Sequence, residues 1–149
     1  MVGSLSEAQI DNLLISQNVG RIACCSKGKP YIVPITYSFD GEHIYGQTRE
    51  GMKLDILREN PVVCFEVDTM TDMFNWQSVV IWGKFEELEG GIAIRARDYL
   101  FERVMTLMTS IHVHPHEHEA AESPDDSNRV KPVMYRIKIE EKTGRFEKR

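Results

Sequence analysis

The spacing of hydrophobic positions changes several times along the chain, and these changes divide it into helices and strands. Ile10, Leu13 and Leu14 recur at helical spacing after Ser4-Leu5-Ser6-Glu7, which has the S-x-x-E form of a capping box. A short amphipathic helix is therefore predicted to open the chain. Stretches rich in β-branched and aromatic residues then predict six strands, over 21–26, 31–39, 42–47, 62–67, 78–88 and 133–139. Helical spacing returns after Gly51 and over 92–108, which makes three helices in all.

Turn signals join most of these strands closely. Lys27-Gly28-Lys29 predicts one turn, and Asp40-Gly41 is typical of a type I′ hairpin, because both central positions of that turn need φ > 0. Residues 68–75 are predicted as a loop. The polar stretch 109–131 contains four histidines and two prolines without periodicity, so a mobile loop is predicted there.

The order of elements favours one mainly β domain over residues 1–149: an antiparallel barrel of meander or Greek-key type with flanking helices. A doubly wound α/β fold is excluded, because a helix does not follow each strand.

Composition narrows the functional classes. Apolar residues make up 42% and charged residues 28% of the chain, as in an ordinary soluble globule. The net charge of -5 argues against a nucleic-acid partner, and no segment approaches the roughly 20 apolar residues of a membrane span. The first residues lack the features of a signal peptide, so a cytoplasmic location is expected. Three cysteines without a C-x-x-C pair predict free, buried thiols.

The stretch from Tyr45 to Lys53 contains the parts of an anion site. A strand ends here, a loop with Gly51 follows, and a helix begins, whose N-terminus favours negative charge. Thr48 adds a hydroxyl donor, while Arg49 and Lys53 add positive charge. From spacing alone, the pattern fits either a phosphate site or a solvated loop with two surface cations.

Short motifs follow one another in a fixed order from Gly20 onward. They are G-R-I-A at 20–23, G-K-P-Y-I-V-P-I-T-Y at 28–37, G-M-K at 51–53, L-R-E-N-P-V-V-C-F-E-V at 57–67 and S-V-V-I-W-G at 78–83, with Y-R-I-K-I at 135–139 and T-G-R at 143–145. In this order the chain resembles the FMN-binding split barrels of the pyridoxamine-phosphate-oxidase superfamily, nearest the branch that contains the nitroimidazole-resistance (Nim) proteins.

The resemblance implies an FMN site at the interface of a homodimer. Backbone groups along 33–36 would face the flavin ring, Thr48, Arg49 and Lys53 would hold the phosphate, and Trp76 and Ser78 would come from the other subunit. The implied cofactor-binding residues are Val33, Pro34, Ile35, Thr36, Gln47, Thr48, Arg49, Met52, Lys53, Trp76 and Ser78. Pro34 is consistent with a sheet edge open to a ligand or with a bulge, because proline cannot donate to a β-ladder. For Trp76 and Trp82, core or interface packing is the alternative interpretation.

One departure from the Nim pattern concerns catalysis. Those proteins typically carry a histidine just after the strand that matches Ile44-Tyr45, where this chain has Gly46-Gln47. His43 lies before that point, so no catalytic side chain is predicted. A flavin supplies the electron chemistry itself.

The expected function is FMN-dependent reduction of a small organic acceptor. The alternatives are a non-catalytic module that binds haem or F420, or stores or senses flavin, and a dimeric scaffold without ligand. No metal site is predicted for the histidines at 112–118, because a proline interrupts them and H-E-x-x-H is absent.

Overall fold

A computed structural model describes the backbone of residues 1–111 and 132–149 and the side chains of 1–105 and 132–149. Eight strands and three helices lie in these ranges: β1 (Val2–Ser4), α1 (Glu7–Ser16), β2 (Val19–Ser26), β3 (Lys29–Thr36), β4 (Ser38–Phe39), β5 (His43–Thr48), α2 (Met52–Glu59), β6 (Val62–Asp72), β7 (Asn75–Glu87), α3 (Gly90–Ile111) and β8 (Val133–Glu147). Within the predicted loop 109–131, residues 109–111 belong to α3 and 112–131 lie outside the described residues.

The strands form one antiparallel sheet in the order β3-β2-β6-β7-β8-β5-β4, with β1 paired to β8. Near the two ends of this order β3 contacts β5, so the sheet curls into an incompletely closed barrel. The predicted mainly β, antiparallel architecture is confirmed.

The barrel is filled by the inward-facing side chains of alternate strand positions. They include Ile22, Phe65, Val67, Ile81, Tyr135 and Ile137, all almost fully buried. Helix α1 adds Ile10, Leu13 and Leu14 to this core, and α2 adds Leu54 and Leu57. Helix α3 packs elsewhere: Ala96 and Leu100 form a smaller apolar cluster with Leu88 and Met134.

The cap of α1 differs from the predicted one. Ser6, not Ser4, is the N-cap: its Oγ accepts from the N–H of Gln9 at 3.2 Å, and the Gln9 side chain accepts from the N–H of Ser6 at 2.8 Å. Ser4 pairs with Arg145 in the β1–β8 ladder. The chain stays extended through buried Leu5, whose N–H donates to the Gly144 carbonyl at 2.8 Å, so the helix begins two residues later than predicted.

The type I′ assignment at Asp40-Gly41 is wrong. There only Gly41 has positive φ, 102°, and the Asp40 carboxylate shapes the turn by accepting from the N–H groups of Glu42 and His43 at 2.8 and 2.7 Å. Two consecutive positive φ values occur instead at Lys27 and Gly28, 53° and 76°, between the paired residues Ser26 and Lys29. At Asp40-Gly41, the hydrogen bonds of the Asp40 side chain therefore stabilise the turn, and Asp40 does not need a positive φ.

The predicted loop 68–75 is a hairpin. β6 and β7 remain paired as far as Asp72 and Asn75, which leaves Met73 and Phe74 at the tip. The end of the hairpin extends past the core and is exposed to solvent. Its residues are polar for that reason, although they continue the two strands.

Candidate functional site

A cleft of about 370 Å³ opens at the edge of the sheet. It is lined by Pro34, Ile35, Thr36, Gln47 and Lys53 from β3, β5 and α2, and by Leu100, Phe101 and Val104 from α3. The fold thus brings together five of the residues predicted from sequence. The three residues on α3 were not predicted, although their helical spacing marked an apolar face.

β3 forms one wall of the cleft as an edge strand. In the described part of the chain β2 is its strand neighbour in the sheet order, and Pro34 lies opposite Arg21. Val33 and Ile35 contribute to the barrel core, whereas Pro34 and Thr36 are exposed. Pro34 therefore lies on an edge strand, in unbroken register with β2; a role toward a ligand stays a prediction.

Lys53 supplies a positive charge that is half withdrawn from water. Burial lowers the pKa of its ammonium group, and the neighbouring Cys24 thiol acts in the opposite direction. Among the ion pairs found in the described residues, none involves Lys53. A partly desolvated cation without a carboxylate partner favours a bound anion.

Two acidic residues lie close to Lys53 in sequence: Asp55 is exposed in the first turn of α2, and Glu50 is bound by Arg58. The Arg58 guanidinium donates to both Glu50 carboxylate oxygens at 2.9 and 3.1 Å, and through Nε to Glu87 at 2.8 Å. The Gly51 N-cap provides no side chain to accept from the first N–H groups of α2. The start of α2 therefore has N–H groups without a side-chain acceptor, and Arg49 and Lys53 lie beside it in sequence, together with Asp55 in the first turn.

Thr48, Arg49 and Met52 lie between β5 and α2 but outside the lining of the cleft. Thr48 is buried, and its hydroxyl donates to the Arg49 carbonyl at 3.3 Å. The side chains of Arg49 and Met52 are exposed. Their roles toward a cofactor stay predictions.

Trp76 and Ser78 do not reach the cleft of their own chain. Trp76 donates from its indole to Glu147 at 3.0 Å, beside a separate polar cleft of about 390 Å³, and the Ser78 hydroxyl donates to Glu66 at 3.4 Å. The resemblance assigned both residues to the partner's site, and that assignment also stays a prediction.

Glu66 is the unusual ionisable group that sequence reasoning missed. Its carboxylate lies 3.3 Å from Arg21, which also contacts Asp68 at 3.0 Å. Burial, followed by the interaction with Asp68, raises the pKa of Glu66 to about 7. The sequence analysis missed this pair because it ended the strand at residue 67; with β6 continuing to Asp72, residues 66 and 68 lie on one face.

Of the two residues at the place of the Nim histidine, Gly46 has no room for a side chain, whereas Gln47 is exposed. A Cβ atom at Gly46 would lie 2.5 Å from the hydroxyl oxygen of Tyr135, whose side chain is fully buried. No larger residue fits there without moving Tyr135. His43 is the first residue of β5, 3.7 Å from Asp40, and does not line the cleft.

In the ranges that the structure describes, no group of three or more His, Cys, Asp or Glu side chains is placed to hold a metal ion. The histidines at 112–118 lie outside those ranges. None of the described helices combines the length and apolarity that crossing a membrane requires.

Comparison with known proteins gives the class. Residues 6–146 match the model of the pyridoxamine 5'-phosphate oxidase family, and the chain belongs to that family. This confirms the resemblance and, with it, the split-barrel fold.

Individual relatives agree with this assignment. An uncharacterised protein of Rhizobium meliloti (strain 1021) is 34% identical over 84 residues, a match that spans 56% of this chain and about half, 56%, of that relative. The structure of a FAD-binding protein from Mesorhizobium loti is similar with 30% identity, 98% coverage of both chains and a TM-score of 0.75. A candidate 5-nitroimidazole antibiotic resistance protein from Bacteroides thetaiotaomicron, at 14% identity, shares the fold, with 98% and 87% of the two chains covered and a TM-score of 0.71.

Proposed function

We propose that this protein binds a flavin nucleotide in the cleft at the β3 edge. The observation that carries the proposal is Lys53, a half-buried cation without an ion-pair partner in the described residues, in a cleft whose opposite wall is apolar. A flavin nucleotide likewise combines an apolar and an anionic part: a planar, largely apolar ring carries a side chain that ends in phosphate. The relative described as FAD-binding supports this class of ligand.

Each part of the cleft then has a role. The ring lies along Pro34 and Thr36 and faces Leu100 and Val104 across the cleft. The phosphate lies near Lys53, Arg49 and the open N-terminus of α2. FMN is the proposed form, with FAD, haem and F420 as the alternatives that the test must separate. The flavin supplies electrons for reduction of a small organic acceptor, and the chain supplies binding and orientation.

We also propose a homodimer, formed through the outward side of β2, β3, β6 and β7, here called the sheet face. Ile32, Ala23, Cys64 and Trp82 stand in register across these four strands. Ile32 is 63% and Trp82 41% exposed, an apolar row that a second copy would cover. The same face carries Ser78, so its burial would bring Ser78 and neighbouring Trp76 toward the partner's cleft.

The cofactor proposal is tested by the absorption spectrum of freshly purified protein and by titration with FMN, FAD and riboflavin. Lys53→Ala should weaken FMN binding about tenfold to a hundredfold by removing one charge-assisted contact, and leave riboflavin binding nearly unchanged. Lys29→Ala removes an exposed lysine at the start of β3 and serves as the control. A colourless protein that takes up neither flavin nucleotide would refute the proposal, and a Soret band on adding haem would favour the haem alternative.

The dimer proposal is tested by sedimentation and by thiol alkylation. Trp82→Glu places a charge in the apolar row and should give a monomer, with Cys64 more reactive than in the parent protein. Ile15→Glu makes the same kind of change on the exposed side of α1 and should stay dimeric. A parent protein that sediments as a monomer with flavin bound would contradict this part alone.

A further inference from the structure

Two carboxylates share one arginine on the sheet face. Arg21 of β2 lies 3.3 Å from Glu66 and 3.0 Å from Asp68, both on β6, and the Ser78 hydroxyl of β7 donates to Glu66 at 3.4 Å. Each of these side chains remains partly open to solvent in the single chain, with 29% of the Glu66 side chain exposed. The cluster is therefore one that a second copy would cover.

The cluster adjoins the apolar row. Glu66 lies opposite Val80 of β7, two positions from Trp82, and opposite Arg21, which in turn lies opposite Pro34 at the cleft. Burial of the row would remove water from Glu66 and Asp68 as well.

We propose that the association of two copies through the sheet face is controlled by pH through the Glu66–Asp68 pair, the dimer being favoured when this pair carries one proton. This inference rests on the proposed homodimer and names the regulation of that interface.

The charges around Glu66 determine the direction of the effect. Its own strand contributes Asp68 on one side and the Cys64 thiol, whose pKa Glu66 helps to raise, on the other. Strand β2 contributes Arg21, and β7 contributes the uncharged Ser78 and Val80. One strand further away, β8 places Arg145 opposite Ser78. Arg21 is a single cation for two carboxylates, so a covered pair retains one uncompensated negative charge unless a proton is bound.

Desolvation on association therefore favours the protonated pair. The single chain already raises the pKa of Glu66 to about 7, for which burial is the first cause. Further burial acts in the same direction, so dimer formation takes up protons near neutral pH and weakens as the pH rises.

The test is the dissociation constant of the flavin-saturated protein by sedimentation or mass photometry at about pH 6 and about pH 8. It should increase about tenfold or more between these values, because each chain contributes a carboxyl whose deprotonation opposes association. Glu66→Gln should abolish most of this change. Glu59→Gln, an equal change of charge on α2, whose carboxylate accepts from Ser26, should retain it.

The outcomes separate the two proposals. A dimer whose affinity is the same at both pH values, or stronger at the higher one, overturns the pH control and leaves the homodimer standing. A monomer at both values overturns both. If the dimer is too tight to dissociate, exchange of labelled subunits should be faster at the higher pH in the parent and equally fast at both in Glu66→Gln, and equal rates in the parent contradict the inference.

Discussion

At the scale of single residues, the surrounding structure restricts which amino acid can occupy a few positions. Gly46 is one: the Tyr135 ring occupies the space that a Cβ atom would need, and Tyr135 is itself part of the barrel interior. This packing accounts for a glycine at position 46. Lys53 is another, because its charge is retained in a half-buried position where a neutral side chain would be easier to accommodate.

We predict that Gly46→Ala lowers the stability of the fold by about 1–3 kcal/mol, since the new methyl group must displace a packed aromatic side chain. Gly91→Ala is the matched control, because its Cβ would meet nothing closer than 3.8 Å, at the Arg95 side chain. Chemical denaturation of the two variants and the parent measures the difference. Equal midpoints for Gly46→Ala and the parent would show that Tyr135 moves aside freely.

A second residue-scale prediction concerns pH. The pKa of Glu66 is raised from 4.5 to about 7, so the folded state binds this proton more tightly than the unfolded chain does. The stabilisation is complete below about pH 4.5 and is lost as the pH rises through about 7. Above that value Glu66→Gln should be more stable than the parent by about 1 kcal/mol, a figure reduced for solvent screening of a partly exposed group.

Thermal melts at about pH 5 and about pH 8, at one low protein concentration, check this difference. The gain of Glu66→Gln over the parent should be clearly larger at the higher pH, while Glu59→Gln should show no such dependence. A gain that is equal at both values, or larger in acid, would mean that Glu66 ionises normally.

At the scale of elements, hydrogen bonds to side chains decide where several elements begin and turn. Ser6 and Gln9 fix the start of α1, Asp40 fixes the β4–β5 turn, and Arg58 ties the loop before α2 to the end of β7 through Glu50 and Glu87. The last of these contacts pairs the Glu50 carboxylate, which precedes α2, with a cation.

Two serines near the N-terminus give a matched test of the observed cap. Ser6→Ala should cost about 1 kcal/mol of stability by leaving the first N–H groups of α1 without their acceptor. Ser4→Ala should cost much less, because Ser4 lies in β1 and caps no helix. Urea denaturation of both variants distinguishes them, and the opposite ranking would return the cap to Ser4.

At the scale of the whole molecule, the cleft and the sheet face belong to one continuous surface. β3 contributes Pro34 and Thr36 to the cleft and Ile32 to the apolar row. The α3 wall closes the cleft from the other side, and Trp76 and Ser78 lie on the sheet away from it. A site completed by a second copy is therefore the arrangement that uses all the residues implied by the family resemblance.

Flavin affinity should accordingly depend on association. We predict that Trp82→Glu weakens FMN binding about tenfold or more, although residue 82 does not line the cleft, because the monomer lacks the partner's contribution. Ile15→Glu should bind FMN as the parent does. Titration below and above the dimer dissociation constant checks the link: unchanged FMN affinity in a monomeric Trp82→Glu would place the whole site within one chain.

Much of the candidate site was predictable because it is local in sequence. Gln47 to Lys53 form a strand end, a loop and a helix start whose residue types indicate an anion site, and Pro34 indicated an open edge. The wall formed by Leu100, Phe101 and Val104 was not predictable, because helical spacing shows that a face is apolar and not what it faces. The separation of Trp76 and Ser78 from the cleft also depends on the path of the sheet.

The sequence by itself determined the type of most elements, the antiparallel barrel and the family, because alternation, turn residues and motif order are properties of neighbouring positions. Only the tertiary structure decided which strands pair at a distance, that Arg21, Glu66 and Asp68 form one cluster, and that Lys53 is half buried without an ion-pair partner among the described residues. The physical reason is that ionisation and burial depend on everything that surrounds a group, and for these residues the surroundings come from strands far apart along the chain.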